Sequence, residues 1–348
     1  MKSIVFAGGG TMGHISPNIA IIEKIGDKFD KIYYIGRKNG LEKDKIEKIE
    51  NVEYYGIDCV KFVRKSIFKN ILLPFRLNKS IKEAKKILVK LKPDVIFSKG
   101  GYVALPVVVA GKKLGIPIVA HESDLSVGLA NKISVKYANV LCTTFFETAE
   151  EFDNAVYTGS PVSKKILLAD KNNAVKQFNL KNSPKIITIV GGSLGATAIN
   201  NAVKEILPLL VNKYQIVHIT GKGKIVNFSH PNYHQIEYSD DIGSIFKASD
   251  VVVSRAGSNT IFELATLKVP MILVPLSKKA SRGDQIENAN YFERLGISVT
   301  VNENELDKLK QTIDFVADNR NSFIKNLNKF NFCDGNNKIV AEIMKSIK

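Results

Sequence analysis

The sequence predicts two doubly wound α/β domains, and three observations carry that reading. Two glycine loops stand about half a chain apart, Gly8-Gly9-Gly10-Thr11-Met12-Gly13-His14 and Gly191-Gly192-Ser193-Leu194-Gly195-Ala196. Each follows a short apolar run, Ser3–Ala7 or Ile186–Val190, and leads into a helix-compatible stretch, Pro17–Ile25 or Ala198–Val211. Short apolar runs alternate with helical stretches along the whole chain, whose 348 residues are natural for two domains. A strand, a glycine turn and a helix start together bring backbone N–H groups to a phosphate. Finding the device twice predicts two similar domains facing one another across a ligand cleft.

In the first half the strand-like runs are Ser3–Ala7, Lys31–Ile35, Val52–Ile57, Asp94–Phe97, Pro117–Ala120, Val140–Thr143 and Ala155–Tyr157. They resume at Ile186–Val190, Gln215–Ile219, Gln235–Tyr238, Val251–Ser254, Met271–Pro275 and Ser298–Val301. The unbroken apolar character of Val251–Val253 and Met271–Val274 is that of parallel strands buried on both faces. The turn Thr158-Gly159-Ser160-Pro161 reads as a linker, which sets the domains at 1–160 and 161–335. The last piece, 336–348, has helical spacing at Ile339, Val340, Ile343 and Ile347 and is expected to pack back on the first domain.

Composition narrows the class. Cys59, Cys142 and Cys333 are odd in number and far apart, so neither a disulfide framework nor a zinc site is indicated, and a reducing, cytoplasmic setting fits. The first apolar run is too short for a signal peptide, and no stretch approaches the ~20 apolar residues of a membrane span. The net charge of +16 is concentrated: between Val60 and Lys92 eleven basic residues face one acid, Glu83. Lys65, Lys69 and Arg76 there interleave with Phe68, Leu72, Leu73 and Phe75. Basic and apolar residues alternating in this way suit an anionic membrane surface. Nucleic acid is the rival partner, and the segment offers no Tyr or Trp platform for bases.

Ligands of open α/β sheets sit beyond the carboxyl ends of the strands, so chemistry is expected in the loops there. They read Gly8–His14, Ser98–Tyr102, His121–Asp124, Gly191–Ala196, Ser254–Thr260 and Pro275–Gln285. The first loop carries His14 where a dinucleotide fold offers a small residue, and the second run, Ile32–Ile35, continues into Gly36 and Arg37 with no acid for a ribose. Neither loop ends in Gly-Lys-Ser/Thr. A phosphate-bearing ligand is favoured; NAD and ATP hydrolysis are not. His14 is the best acid–base candidate, with Asp124 and Glu122 as alternatives, because imidazole can take a hydroxyl proton near neutral pH. His121 reads as a residue that orients its loop.

The stretches Gly8–Pro17, Ser98–Pro106, His121–Asn131, Gly191–Ala196 and Ser254–Gln285 together resemble the MurG family. These are peptidoglycan N-acetylglucosaminyltransferases that convert lipid I to lipid II. The resemblance spans nearly the whole chain. It implies a GT-B fold of two Rossmann-like domains, with the acceptor in the first and the donor UDP-GlcNAc in the second, and inverting transfer to a polyprenyl-linked acceptor. It also implies peripheral attachment to the cytoplasmic face of the cell membrane, with other cell-wall synthesis proteins as partners. For the donor it implies Thr11, Met12, Gly13, Ser193, Gly195, Ser258, Asn259 and Thr260, with Glu263 on the ribose and Asp284 and Gln285 on the sugar. Alone, Glu263 reads more often as a helix-start charge, and its place in the family's motif reverses that preference.

The chain departs from the family pattern at three places. Met12 stands where a second glycine is usual, Asp124 where Asn is common, and Ser163 where an Arg is common, with Lys164 and Lys165 nearby. No cofactor and no protein-bound metal are expected, since helix-end N–H groups can stabilise the leaving diphosphate. Asp240-Asp241 is adjacent rather than spaced as a DxD pair and reads as a helix cap. Two alternatives remain: another two-domain UDP-sugar enzyme (a glycolipid glycosyltransferase or an epimerase), or a catalytically silent sugar-nucleotide-binding subunit. The basic segment argues against the epimerase, and His14, Glu263 and Gln285 argue against the silent subunit.

Overall fold

Side chains alternate across β1 (Ser3–Ala7): Ile4 and Phe6 enter the core on one face of the sheet, Val5 and Ala7 the core on the other. A strand buried on both faces needs helices on both, which is the doubly wound arrangement. The computed structural model describes residues 1–60, 72–278, 280–330 and 335–347. It divides into two compact units, Met1–Ser163 with Cys333–Lys348, and Lys164–Phe332.

In the first unit β1 is joined by β2 (Lys31–Arg37), β3 (Val52–Ile57), β4 (Val95–Ser98), β5 (Ile118–Glu122), β6 (Val140–Thr143) and β7 (Ala155–Tyr157). The order is β3-β2-β1-β4-β5-β6-β7, every pair parallel. Helices Met12–Ile25 and Gly335–Lys345 cover one face through Ile21, Ile25, Ile339 and Ile343. Helices Leu73–Leu91 and Gly101–Lys113 cover the other through Ala84, Leu88, Val107 and Val108. Asn336 ties the start of the last helix to Val162, accepting its N–H at 3.0 Å and donating to its carbonyl at 2.7 Å.

The second unit holds β8 (Ile186–Val190), β9 (Gln215–Ile219), β10 (Tyr233–Ile236), β11 (Val251–Ser254), β12 (Met271–Leu273) and β13 (Ser298–Thr300). Their order is β10-β9-β8-β11-β12-β13, again all parallel. Ile187, Ile189, Val251 and Val253 pack against Ile199, Val203 and Leu207 of helix Thr197–Leu210 and against Ile313 and Val316 of helix Leu309–Asp318. In each sheet the strand order reverses beside the strand that precedes a glycine loop, β1 or β8. That is the topological switch point where ligands of such sheets bind.

Several element boundaries differ from the sequence reading, those of β10 and the first helix among them. β10 begins two residues earlier than Gln235, because Tyr233 is buried with its hydroxyl 3.0 Å from His218 Nδ1, whereas Tyr238 is exposed. The first helix starts at Met12 rather than Pro17, since the Thr11 carbonyl already accepts the His14 N–H at 3.0 Å. Among the described residues, no helix is long and apolar enough to cross a membrane.

Candidate active site

The turn after β1 is held by groups distant in sequence. Glu42, fully buried, accepts the Gly10 N–H at 3.1 Å and the Arg37 N–H at 2.8 Å. Tyr34 donates its hydroxyl to the Gly8 carbonyl at 3.0 Å, and the buried Asn18 amide donates to Tyr34 at 3.0 Å. Gly10 has φ +83°, and a Cβ there would lie 2.7 Å from the Tyr102 ring, so this position requires glycine. Thr11 occupies the helix N-cap, Met12 and Gly13 the first two helical positions. His14 therefore lies in the first helical turn. Its Nδ1 is 2.8 Å from the Thr11 hydroxyl oxygen, and its Nε2 would be 3.1 Å from a Cβ on Gly101. Loops after β1 and β4 thus meet at this imidazole.

His121 and Glu122 complete β5 rather than opening the loop after it, because they stay in register with Cys142 and Thr143 of β6. His121 is fully buried; burial first, and the charge of Lys99 second, hold its pKa well below the usual histidine range. Its Nε2 lies 3.4 Å from the Gly159 carbonyl. The Glu122 carboxylate accepts four hydrogen bonds, from Ser123 N–H (2.8 Å), Asp124 N–H (3.1 Å), Gly128 N–H (3.0 Å) and the Asn131 amide (2.9 Å). Glu122 is thereby the frame of the loop that presents Asp124, which is half-buried.

In the second unit the loop after β8 is exposed at Ser193 and Leu194. Gly195 has φ +66°, and a Cβ there would lie 2.2 Å from the Thr220 carbonyl. The loops after β8 and β9 therefore pack backbone to backbone. A buried chain fixes the second of them: His218 bonds Asn200 at 3.1 Å, and Asn200 donates to the Thr220 carbonyl at 2.9 Å. Burial lowers the His218 pKa to about 4, so the ring stays neutral in this chain of bonds. Lys224 reaches the Leu194 carbonyl at 2.9 Å and the Gly195 carbonyl at 3.2 Å.

Beyond β11, Ser258, Asn259 and Thr260 form the first turn of helix Ser258–Thr266, and Glu263 follows one turn in. Glu263 is half-buried, and loss of water around its carboxyl pushes the pKa up to about 7. Arg255 is committed to structure: it pairs with Glu303 at 2.6 Å and donates to the Val274 carbonyl at 3.2 Å. Asp284 begins helix Asp284–Arg294 and lies 3.4 Å from Arg282. Gln285 accepts the Leu276 N–H at 3.0 Å through its amide oxygen, a bond that leaves its two N–H donors to other groups. Asp241 caps helix Ile242–Ala248 by accepting the Ser244 N–H at 3.2 Å.

The basic segment is described from Leu72 onward; Lys65, Phe68 and Lys69 lie outside the described residues. Helix Leu73–Leu91 buries Ser80, Ala84 and Leu88 and turns its other side to solvent. Phe75 is 75 % exposed and Leu72 55 %, with Arg76 exposed beside them, while Leu73 is half-buried. Asp58, from the end of β3, joins Glu83 in answering the cations: it lies 3.1 Å from Lys79 and 3.3 Å from Lys38.

Family models for the N-terminal and C-terminal domains of glycosyltransferase family 28 match residues 4–143 and 186–346. A UDP-N-acetylglucosamine–N-acetylmuramyl-(pentapeptide) pyrophosphoryl-undecaprenol N-acetylglucosamine transferase of Clostridium tetani is 42% identical over 351 residues, covering 99% of this chain and 98% of that protein. A transferase of the same name from Clostridium botulinum (strain Alaska E43 / Type E3) is 43% identical over 352 residues, with the same coverage. The chain belongs to the MurG family. Among solved structures, MurG of Acinetobacter baumannii superposes with a TM-score of 0.76 at 23% identity, covering 99% of this chain and 100% of that one. A UDP-GlcNAc 2-epimerase of Neisseria meningitidis reaches 0.66 at 15% identity, covering 99% of each chain. The fold is that of GT-B glycosyltransferases.

Within this MurG-family chain, the residues the sequence reading passed over are the buried polar ones: Asn18, Tyr34, Glu42, Asn131, Asn200 and His218. Each satisfies backbone or side-chain groups brought in from another element, so no local spacing marks them. Asn288, fully buried and donating to the Ala256 carbonyl at 3.3 Å, belongs with them.

Proposed function

We propose that the chain transfers N-acetylglucosamine from UDP-GlcNAc to the 4-hydroxyl of the N-acetylmuramyl sugar of a pyrophosphoryl-undecaprenol acceptor, with inversion and release of UDP. The observation that carries this reading is identity above 40% to transferases of that name along 99% of the chain. The second unit holds the donor. Glu263 accepts hydrogen bonds from the ribose diol, and the N–H groups of the Gly191–Ala196 loop and of helix Thr197–Leu210 face the diphosphate together with the Ser193 hydroxyl. Gly195, Ser258, Asn259 and Thr260 complete that pocket, and Asp284 and the amide of Gln285 meet sugar hydroxyls. The family resemblance also gives Thr11, Met12 and Gly13 to donor recognition.

His14 acts on the acceptor. Its Nε2 takes the proton of the attacking hydroxyl while the bond from the anomeric carbon to the UDP oxygen breaks and UDP leaves with the electron pair. In the tautomer with the proton on Nδ1, the Thr11–His14 contact of 2.8 Å is a bond donated by the ring and the lone pair lies on Nε2, which is the arrangement this role needs. Asp124 is the second acid–base candidate. Helix-end N–H groups stabilise the charge that grows on the diphosphate.

The acceptor's polyprenyl tail requires the first unit to work at a membrane surface, on the cytoplasmic face where UDP-sugars are made. Exposed Phe75 and Leu72 beside Arg76 support that placement. Release of UDP from UDP-GlcNAc, measured with and without a lipid I analogue, tests the function. Release that requires the analogue is the expected result; release indifferent to it points to a hydrolase or an epimerase instead.

A further inference from the structure

The turn after β9 is anchored on both sides of Lys224. On one side the Glu237 carbonyl accepts the Gly221 N–H at 3.1 Å, and the Glu237 carboxylate accepts the Gly223 N–H at 2.6 Å. On the other, Gln235 exchanges two bonds of 2.8 Å with Val226: its amide oxygen accepts the Val226 N–H, and its amide nitrogen donates to the Val226 carbonyl. The Lys224 N–H closes the turn on the Gly221 carbonyl at 3.1 Å. The Lys224 side chain crosses to the loop after β8. There its ammonium donates to the Leu194 carbonyl at 2.9 Å and to the Gly195 carbonyl at 3.2 Å. An ammonium has three donors, so two are spent on successive carbonyls of one glycine turn. Among the described residues no carboxylate pairs with Lys224, so no ion pair cancels its charge.

A trans peptide turns its N–H away from its carbonyl. Holding the Leu194 and Gly195 carbonyls therefore also sets the direction of the Gly195 and Ala196 N–H groups. That of Gly195 donates to the Gly192 carbonyl at 2.9 Å and closes the loop. Ala196 is the N-cap of helix Thr197–Leu210, and no side chain caps the first turn of that helix. We propose that Lys224 is a positioning residue for the donor: it clamps these two peptide planes so that the uncapped N–H groups meet the diphosphate, and its charge adds to theirs. This rests on the reading that the Gly191–Ala196 loop takes the diphosphate. A lysine that served only the fold of its own turn would need neither carbonyl, since Glu237 and Gln235 already hold that turn.

The test uses the full chain as wild type, Lys224→Met and Lys224→Arg. Amide hydrogen exchange of the unliganded proteins is followed in the peptide that covers residues 191–197. Titration calorimetry measures the affinity for UDP and for uridine, which lacks the diphosphate. Lys224→Met is expected to speed exchange in that peptide and to weaken UDP by about tenfold or more, the scale of a lost bond to a charged group, with uridine changed less than about twofold. Lys224→Arg keeps the charge and the donors, and is expected to bring UDP back to within about threefold of wild type. Exchange unchanged in Lys224→Met would overturn the clamp. Equal losses for UDP and uridine would overturn the role at the diphosphate, because the substitution would then disturb the whole pocket. A wild-type chain that binds no UDP would overturn the donor reading itself, and the exchange measurement, which needs no ligand, would still judge the clamp.

Discussion

His14 and Glu263 show how one residue's surroundings select its chemistry. Thr11 lies 2.8 Å from Nδ1 of His14, a contact that orients the imidazole proposed as the base. His14→Ala is expected to leave UDP-GlcNAc affinity near wild type and to lower turnover by ~10²–10⁴, the range for a lost acid–base group. Titration calorimetry and initial rates check it, and near-normal turnover would move the role to Asp124. Glu263 is lifted by burial to about 7, above the ordinary 4.5 of a glutamate. A raised carboxyl pKa means that folding favours the protonated form, so its stabilising share is complete below 4.5 and is lost as pH rises through about 7. With Glu263 on the ribose as proposed, donor binding reverses the preference, since a ribose diol donates to the ionised carboxylate. UDP-GlcNAc affinity should therefore rise about tenfold from pH ~6 to ~8, with proton uptake by the buffer, and Glu263→Gln should flatten the rise. UDP-GlcNAc is the proper probe, because the terminal phosphate of UDP titrates in the same range. A pH-independent affinity in the wild type would remove Glu263 from the ribose.

At the scale of elements, what the sequence disclosed was the apolar period and the glycine punctuation. Continuous runs such as Val251–Ser254 and Ile186–Val190 are the strands observed, since burial on both faces leaves their pattern no other use. Ends were less legible. Tyr233 belongs to its strand only because His218, on another strand, buries its hydroxyl, and His14 joins a helix that begins five residues before Pro17. The buried polar supports were silent for the same reason: Glu42 grips Gly10 from 32 positions away. In the donor loop the punctuation has a mechanical sense. Gly195 and Gly221 let two turns touch, and either Cβ would strike the opposing backbone. Gly195→Ala is expected to weaken UDP-GlcNAc binding by about tenfold or more, as the added carbon forces the loop off the helix start. Gly192→Ala, where a Cβ would meet nothing within 4 Å, is the comparison, although its φ of +85° also carries strain. Equal effects of the two substitutions would assign the loss to strain and not to the packing of the loops.

For the whole molecule, charge decides which surface it meets. A net +16 draws the protein to any anionic surface, but ten of those charges come from the segment between Val60 and Lys92, where eleven basic residues face Glu83 alone. The described part of that segment adds an unscreened component, since Phe75 is 75 % exposed and Leu72 55 %. Asp58 offsets part of the charge by pairing with Lys38 and Lys79, which makes Arg76 a better probe of the lipid contact than Lys79. Basic residues near an anionic leaflet contribute about 1 kcal/mol each before screening. Salt shortens the reach of those charges and leaves the apolar contact intact. Cosedimentation should therefore show binding to vesicles that contain anionic lipid, weakened only in part by rising salt. Phe75→Ser combined with Arg76→Glu should reduce vesicle binding at every salt concentration and leave UDP-GlcNAc affinity unchanged, because neither residue is among those proposed for the donor. Binding that vanishes completely in high salt would reduce the contact to charge alone. Binding indifferent to the double substitution would place the membrane face elsewhere on the molecule.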